Sequence, residues 1–362
     1  MRAGRKRRLG LLAIFVVPLL VLGPVAWGDP SDFYGTAFDR CAVADRDIDE
    51  LSGLVVRPGG DLFLVEDSTP EPNPGAGSIL MYRLDAACAV VGGAPAVFGQ
   101  DPNDIEDLAV RDETVWFADI GDNGADRETV ALITVSLSAA DPLGPTPQVY
   151  RFTYPDGPHD AEALLLPPNG TPYIVTKELD GRSGVYRPGA PLDATNDVLL
   201  DKLGEVEFEP TGTPGGPVGR AGQVLVTGGA VSADGQFLAL RTYTDAYVWP
   251  LESNDVWAAV KTPPVAVVAL PDAAQGEAIS FAENSRNLVV GSEGVDSVIS
   301  EIPIVQPLTR RLGAAVEDDL NELSASWEEI FGALILLGLV YAGYKIYRRF
   351  FPRKVGSGAH GH

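Results

Sequence analysis

One pattern recurs five times along this 362-residue chain: a short apolar strand, a tight turn and a second apolar strand. Gly, Asn and Asp at the turns are the residues that tight hairpins require. The spacing between copies, taken at equivalent points, is about 48 to 67 residues, which fits one four-stranded propeller blade per copy. The equivalent points are Gly53, Asp107, Ala163, Ala230 and Ala278. The copies are LSGLVVRPGGDLFLVED, IEDLAVRDETVWFAD, AEALLLPPNGTPYIVTKE, GGAVSADGQFLALRTYTD and GEAISFAENSRNLVVGSEG.

The segments between the hairpins supply further apolar strands, such as GSILMYRL and TVALITVSL. The sequence therefore predicts an all-β fold, a β-propeller of about five four-stranded blades. A sixth blade between residues 190 and 225 is the alternative, although EPTGTPGGPVGRAG has the composition of a loop. Residues 33–48 precede the first hairpin and are expected to complete the last blade, which would close the ring without exposed sheet edges.

Apolar segments flank the predicted propeller, residues 29–310. Residues 1–28 combine a basic start, an apolar run and small residues at Ala26 and Gly28, which predicts a signal peptide, with an uncleaved anchor as the alternative. Residues 330–347 contain no acid and are about long enough to cross a bilayer as a helix. Helical spacing over 311–329 predicts a juxtamembrane stalk helix. The basic tail, 348–362, indicates a single-pass cell-membrane protein with a cytoplasmic C-terminus and an extracytoplasmic propeller.

The formal net charge is −23, and the acids all lie between two basic end segments. Such a field repels nucleic-acid phosphates and attracts cations or basic partners, so the charge argues against a nucleic-acid function. The only two cysteines are Cys41 and Cys88. Export favours a disulfide between them, with two unpaired structural cysteines as the alternative.

The acids fall mainly at the starts of first strands and the ends of second strands. In a propeller these positions share one face, so we expect the carboxylates to converge at the mouth of the central channel. Crowded carboxylates repel one another and need protonation, a basic partner or a cation. Oxygen ligands suit Ca²⁺ or Mg²⁺, and solvated carboxylates are the alternative. The candidate metal ligands are Asp104, Glu106, Asp119, Asp122, Asp160, Glu162 and Glu277. The candidate charge partners at the rim are Lys177, Glu178, Arg241 and Glu293.

Catalytic signatures are sparse in this chain. His159 is the only histidine outside the C-terminal tail, so a histidine-rich metal site is excluded. His159 with Asp160 could act as a base at the rim, whereas a surface role is the alternative. The sequence contains no GxSxG or P-loop motif.

At DIEDLAV, ADIGDN, YPDGPHDAEALLL and LRTYTDAYVW, the chain resembles a family of exported actinobacterial proteins described as WD40-like or YVTN-type β-propellers. The resemblance covers about residues 33–305, and that family has no established activity. Within residues 33–305, the Gly-His and Trp-Asp pairs of true WD40 repeats are absent. The acidic strand starts are also similar to those of phytase-like and lactonase-like propellers, in which a rim-bound cation holds substrate. This similarity implies a cation-binding role for Asp104, Glu106, Asp160, Glu162 and Glu277.

Fold alone does not determine function, because propellers include both binding proteins and enzymes. We favour a membrane-anchored binding or scaffolding module with an acidic rim that takes Ca²⁺ or Mg²⁺, and with a small molecule or an envelope protein as partner. A second hypothesis is a cation-dependent hydrolase in which His159 or Asp160 assists a water. A third is a cell-envelope assembly factor that contacts another membrane protein through its stalk and span.

Overall fold

The computed structural model describes residues 33–67, 78–93, 96–98, 102–137 and 146–306. This part of the chain contains twenty β-strands and one short helix, α1 (Val256–Val260). The helix begins after Asp255, whose side chain caps it by accepting a hydrogen bond from the Ala258 N–H (2.9 Å). The predicted all-β fold class is confirmed.

The strands form successive antiparallel groups of four, called units 1 to 5 here. Unit 1 contains β2 (Leu51–Val56), β3 (Leu62–Glu66), β4 (Ile79–Leu84) and β5 (Ala96–Phe98). Unit 2 contains β6 (Ile105–Arg111), β7 (Thr114–Asp119), β8 (Val130–Ser136) and β9 (Gln148–Thr153). Unit 3 contains β10 (Ala161–Leu165), β11 (Tyr173–Thr176), β12 (Arg182–Pro188) and β13 (Val198–Glu207). Unit 4 contains β14 (Val226–Val231), β15 (Phe237–Thr242), β16 (Asp245–Pro250) and β17 (Ala266–Ala269). Unit 5 contains β18 (Ile279–Phe281), β19 (Leu288–Val290), β20 (Val298–Ile302) and β1 (Phe38–Ala42).

The first hairpin strands of the units lie side by side. Strand β2 contacts β6, β6 contacts β10, β10 contacts β14, β14 contacts β18, and β18 returns to β2. Glycines permit the close approach: a Cβ on Gly228 would lie 2.4 Å from the carbonyl oxygen of Glu277 in the next unit. This arrangement of sheets is consistent with a β-propeller.

Apolar side chains fill the spaces between neighbouring units. One cluster joins Leu54 and Leu64 of unit 1 to Val289 of unit 5, and similar clusters occupy the other junctions. Because both faces of each sheet are covered, the strands read as nearly continuous apolar runs. The hydrophobic core therefore lies between the units, and the polar side chains of the first strands are left facing the centre.

The N-terminal strand completes the last unit, as the sequence predicts for residues 33–48. Strand β1 pairs antiparallel with β20, with Phe38 opposite Glu301 and Ala42 opposite Val298. Tyr34 forms a further bridge with Ile304, and the Val305 N–H donates to the Phe33 carbonyl oxygen at 2.7 Å. The two ends of the described chain are therefore held together.

Residues 190–225 form no separate sheet within the described part of the chain. They provide β13, the outer strand of unit 3, and a 3-10 turn, Gly219–Gln223. Two parallel residue pairs between β13 and β9 join units 2 and 3 into one eight-stranded sheet. The loop character of EPTGTPGGPVGRAG is confirmed.

The predicted disulfide between Cys41 and Cys88 is confirmed. Cys41 lies in β1 of unit 5, whereas Cys88 lies in the turn after β4 of unit 1. The bond therefore fastens the N-terminal strand to the adjoining unit across the junction where the ring closes.

Replacing both cysteines by serine is expected to lower the free energy of unfolding by about 4 kcal/mol, because a cross-link over 47 residues restricts the unfolded chain. Urea denaturation of the oxidised protein, the reduced protein and the double variant measures this effect. The reduced protein and the double variant should behave alike. A midpoint equal to that of the oxidised protein would contradict the assigned role of the bond.

Within the described residues, no helix is both long and apolar enough to cross a membrane. The predicted signal peptide (1–28), stalk helix (311–329), membrane span (330–347) and basic tail (348–362) all lie outside those residues.

Candidate cation site

A β-bulge recurs in the first hairpin of units 1 to 4 and determines which side chain points to the centre. The strand register shifts between Leu51 and Gly53, Ile105 and Asp107, Ala161 and Ala163, and Val226 and Gly228. The residues skipped by the ladder are Ser52, Glu106, Glu162 and Thr227. Bulges re-aim a side chain, and Glu277 precedes β18 at the matching end of the fifth hairpin.

The fourth bulge corrects one assumption made from the sequence. The point equivalent to Gly53 and Asp107 in unit 4 is Gly228, so the choice of Ala230 was wrong. In the run VTGGAV, Gly228 and Ala230 are both small and lie on the same face of the strand. Only the observed strand pairing shows which of them corresponds to Gly53 and Asp107.

Hydroxyl groups occupy the bulge in the two units that lack an acid there. Ser52 Oγ donates to the Ile105 carbonyl oxygen at 2.8 Å, and Thr227 Oγ1 donates to the Gly276 carbonyl oxygen at 3.0 Å. Each acceptor immediately precedes the glutamate of the next unit. These bonds therefore fix the backbone from which Glu106 and Glu277 project.

Three of the predicted ligands converge in the centre. One carboxylate oxygen from each of Glu106, Asp160 and Glu162 lies within 4.8 Å of the other two. Oxygens bound to the same Ca²⁺ at 2.3–2.6 Å lie at most about 5 Å apart. Glu106 and Glu162 are buried, and Glu162 Oε2 has no hydrogen-bond partner. The donor set and this orphaned oxygen fit a hard divalent cation.

Burial and mutual repulsion oppose ionisation of this cluster. Burial, and then repulsion from Glu277, raises the pKa of Glu162 to about 8. Burial and repulsion from Glu162 hold the pKa of Glu106 well above its usual range. Asp104 lies at the edge, where burial and Asp160 raise its pKa to about 6. A bound cation would offset the cost of ionising all of them.

The acidic group continues toward unit 1. Burial, and then a hydrogen bond that the protonated carboxyl group donates to Glu293, raise the pKa of Glu277 to about 8. Burial and repulsion from Glu50 raise the pKa of Asp67 to about 8. Glu50 and Asp67 were not among the ligands predicted from the sequence, although Glu50 directly precedes β2 and Asp67 directly follows β3, as the predicted ligands do in other units. The Asp67 N–H donates to the Glu50 carbonyl oxygen at 3.1 Å, which confirms that the two positions share a face.

Asp119 and Asp122, also predicted as ligands, shape the neighbouring loop. Asp119 Oδ1 accepts from the Asp104 N–H (3.0 Å) and from Arg127 Nη2 (2.8 Å). Asp122 accepts from the N–H groups of Asp126 and Arg127, and its own N–H donates to Asp160 Oδ1 at 2.9 Å. Their contacts thus orient the loop and Asp160.

The predicted charge partners take different positions. Lys177 Nζ donates to Glu162 Oε1. Burial alone would lower the pKa of Lys177, but the charge of Glu162 and the hydrogen bond to it outweigh burial and raise that pKa. Arg241 lies inside the wall, where its guanidinium donates to the carbonyl oxygens of Ala278 (2.8 Å) and Gly291 (3.1 Å). Burial lowers the pKa of Arg241 to about 10. Lys177 is therefore the cation that touches the three-carboxylate site.

His159 faces away from that site, although Asp160 beside it belongs to it. Its Nδ1 lies 3.1 Å from Glu178 Oε1, and its Nε2 lies 3.1 Å from the Tyr186 hydroxyl. Asp156 Oδ1 is also within 3.2 Å of Nε2. Glu178, a predicted rim partner, thus serves His159 rather than the channel carboxylates.

Asp107 is the central residue that sequence reasoning missed. Its Oδ1 accepts from the Leu108 N–H at 2.7 Å, and its Oδ2 accepts from the Leu164 N–H (2.7 Å) and the Gly229 N–H (3.3 Å). This single carboxyl group links the first strands of units 2, 3 and 4. Burial raises its pKa well above the usual range, and the three N–H groups oppose that change.

Gly121 offers a steric test of the site. A Cβ at this position would lie 2.2 Å from Glu106 Oε1 and 2.4 Å from Asp104 Oδ2. Gly121→Ala is expected to displace these carboxylates and weaken Ca²⁺ binding at least about 10-fold, which corresponds to 1.4 kcal/mol. Calorimetric titration of the full-length protein in detergent measures the change. Gly124→Ala, in the same loop, is the matched control because its Cβ meets Asp126 at 3.5 Å. Equal affinities of the two variants would contradict the assigned ligands.

No protein-family model matches the chain, and no curated protein matches it. Among solved structures, it is similar to a glutaminyl cyclase from Myxococcus xanthus, at 12% identity and a TM-score of 0.40 over 75% of this chain and 97% of that chain. It is also similar to an aldose sugar dehydrogenase from Streptomyces coelicolor, at 12% identity and a TM-score of 0.39 over 74% and 98%. A gluconolactonase from Xanthomonas campestris matches at 13% identity and a TM-score of 0.39 over 72% and 88%. These likenesses carry no argument about activity, and the exported WD40-like family suggested by the sequence stays a prediction.

Proposed function

We propose that the protein is a five-bladed, membrane-anchored propeller that acts outside the cytoplasm as a binding module and holds a divalent cation at its acidic mouth. Five blades result when the eight-stranded sheet is divided at the short parallel contact between β9 and β13. The observation that carries the cation proposal is the convergence of Glu106, Asp160 and Glu162, with an orphaned buried oxygen on Glu162.

We propose Ca²⁺ rather than Mg²⁺ for this site, because Ca²⁺ accepts flexible, carboxylate-rich shells, whereas Mg²⁺ demands near-octahedral geometry and keeps several waters. Oxygens that share a Mg²⁺ at 2.0–2.1 Å lie at most about 4.2 Å apart, whereas those sharing Ca²⁺ can spread to about 5 Å. The three oxygens lie within 4.8 Å of one another, which is inside the limit for Ca²⁺. Asp104 lies close to this group, because its carboxylate and that of Glu106 both face Gly121. Asp104 could therefore complete a flexible, carboxylate-rich coordination shell of the kind that Ca²⁺ accepts.

Lys177 gives the proposed site a second function besides charge balance. Its ammonium lies against Glu162 and 5.5 Å from the centre of the Tyr243 ring. A bound cation beside an ammonium group would attract an anionic or polyhydroxylated ligand at the mouth. We propose binding rather than hydrolysis because His159 is held by Tyr186, Asp156 and Glu178, away from the carboxylates.

The proposal is tested by titrating the full-length protein in detergent with Ca²⁺ and with Mg²⁺ in a calorimeter. We expect a single Ca²⁺ site, and we expect Glu106→Gln and Glu162→Gln each to weaken it at least about 10-fold. Glu128→Gln is the control, because Glu128 is an exposed acid in the neighbouring loop. Absence of Ca²⁺ binding by the parent protein would overturn the proposed site, as would equal losses in the control.

A further inference from the structure

The path of the chain places both ends of the propeller on one face. In unit 5, β19 runs from its hairpin turn toward the acidic mouth, and β20 is antiparallel to it and runs back. Strand β1 is antiparallel to β20 and therefore starts on the hairpin side. Side-chain contacts agree: the Tyr34 hydroxyl donates to the Arg286 carbonyl oxygen at 3.0 Å, and Asn287 Oδ1 accepts from the Ile304 N–H at 2.9 Å.

The acidic mouth lies on the opposite face. Arg286 and Asn287 follow β18, whereas Glu277 precedes it and Glu293 follows β19. The Glu293 N–H donates to the Gln275 carbonyl oxygen at 2.9 Å, which closes the hairpin at the mouth. A strand of five residues is about 16 Å long, so the thickness of the propeller separates the chain ends from the mouth.

We infer that the face carrying the first-hairpin turns, which we call the turn face, is directed toward the membrane, and that the acidic mouth is presented away from it. Both ends of the described chain lie on the turn face, and the sequence between Gln306 and the apolar run 330–347 is 23 residues long. The stalk helix that the sequence predicts over 311–329 would be about 29 Å long. The attachment thus reaches the propeller from the turn face. This inference rests on the membrane anchoring of the proposed function and does not depend on the cation site.

The distribution of charge supports the same orientation. On the turn face, arginines accompany the acids: Arg286 pairs with Asp234 at 2.7 Å, and Arg40 pairs with Glu283 at 2.9 Å. At the mouth, Glu106 and Asp160 lie beside Glu162, which pairs with Lys177. An anionic lipid surface repels concentrated negative charge. The balanced turn face therefore approaches such a surface at lower electrostatic cost.

Two positions in unit 3 provide a matched pair of labels. Asn169 is exposed in the turn between β10 and β11, and Leu179 is 83% exposed beyond the other end of β11. Full-length Asn169→Cys and Leu179→Cys proteins, with the native disulfide intact, are labelled with a thiol-reactive donor dye. They are reconstituted into phosphatidylcholine–phosphatidylglycerol vesicles whose headgroups carry an acceptor dye.

We expect higher energy transfer from position 169 than from position 179. A second pair, Glu113→Cys on the turn face and Asp126→Cys on the mouth side of unit 2, should show the same order and so exclude a simple tilt. Equal transfer within both pairs, or a reversed order, would overturn the inference. Failure of the protein to float with the vesicles would also overturn it. Ca²⁺ titration of the same labelled proteins tests the cation site independently, so a failure of that site is distinguished from a failure of the orientation inference.

Discussion

In the presence of a chelator, the free energy of unfolding of this protein is expected to decrease as the pH rises from about 5 to 8. The carboxyl groups of Glu162 and Glu277 are buried in the folded state, and their pKa values are raised to about 8. In the unfolded chain, glutamate ionises near its ordinary pKa of about 4.3. The unfolded state therefore releases its protons first, and the folded state holds more protons throughout this interval.

The sign follows from proton linkage. Stability falls with pH wherever the folded state binds more protons than the unfolded state. A carboxyl group that is ionised in the unfolded state and still protonated in the folded state lowers the stability by about 1.4 kcal/mol per pH unit, and this slope declines as the pH approaches the folded pKa. The stabilising contribution is complete below the unfolded pKa and is lost as the pH passes through the folded pKa.

Ca²⁺ is expected to reverse this loss, because it binds the ionised carboxylates of the folded state only. The gain in melting temperature on adding Ca²⁺ should therefore increase from pH 5 to 8. Chemical denaturation and thermal melts at matched pH, with chelator or with Ca²⁺, measure both effects. Glu162→Gln should reduce the slope of the pH profile, to which Glu277 still contributes, and remove most of the Ca²⁺ effect.

Potassium chloride at the same ionic strength controls for general screening of the acidic surface. A stability that is constant or increasing between pH 5 and 8 in chelator would contradict the protonated state assigned to the buried cluster. A Ca²⁺ gain that potassium reproduces would contradict a specific site.

Asp107→Ala is expected to lower the free energy of unfolding by about 3 kcal/mol or more. The substitution removes the acceptor of three backbone N–H groups, those of Leu108, Leu164 and Gly229. A buried donor left without an acceptor costs about 1–3 kcal/mol. Because these donors belong to three units, the loss should appear as destabilisation of the whole propeller rather than of one hairpin.

Urea denaturation followed by tryptophan fluorescence and by far-UV circular dichroism measures this change. Asp107→Asn retains one carbonyl acceptor and should cost less than alanine. Glu113→Ala is the control, because Glu113 is exposed in the turn of the same hairpin. A destabilisation by Asp107→Ala no larger than that of the control would show that the carboxyl group does not tie the units together.

Local pattern predicted much of the fold. The apolar runs at residues 51–66 and 105–119 form hairpins because each strand packs between two neighbouring sheets. Pairing of the N-terminal strand with β20 was predictable because an open ring leaves a sheet edge exposed. The register of VTGGAV was not, because Gly228 and Ala230 are both small and share one face of the strand, and only the close approach of Gly228 to Glu277 distinguishes them.

The site was predictable only in part. Strand-end positions brought Glu106, Asp160 and Glu162 together as expected. Asp119 and Asp122 have equally acidic contexts, yet Arg127 and nearby N–H groups occupy their oxygens. Asp107 differs from its neighbours through contacts with Leu164 and Gly229, which lie far along the chain. Such pairings depend on the assembled ring and have no local signature.

The final sheet contains the first strand of the described chain and the last, joined at Arg40 and Glu301 across 261 positions. During synthesis, β1 emerges long before its partner exists, and until the two meet β20 is an unpaired edge. Such an edge accepts the same strand from another molecule. Refolding at high concentration should therefore yield strand-exchanged oligomers, whereas dilute refolding, in which the intramolecular partner prevails, should yield monomeric rings.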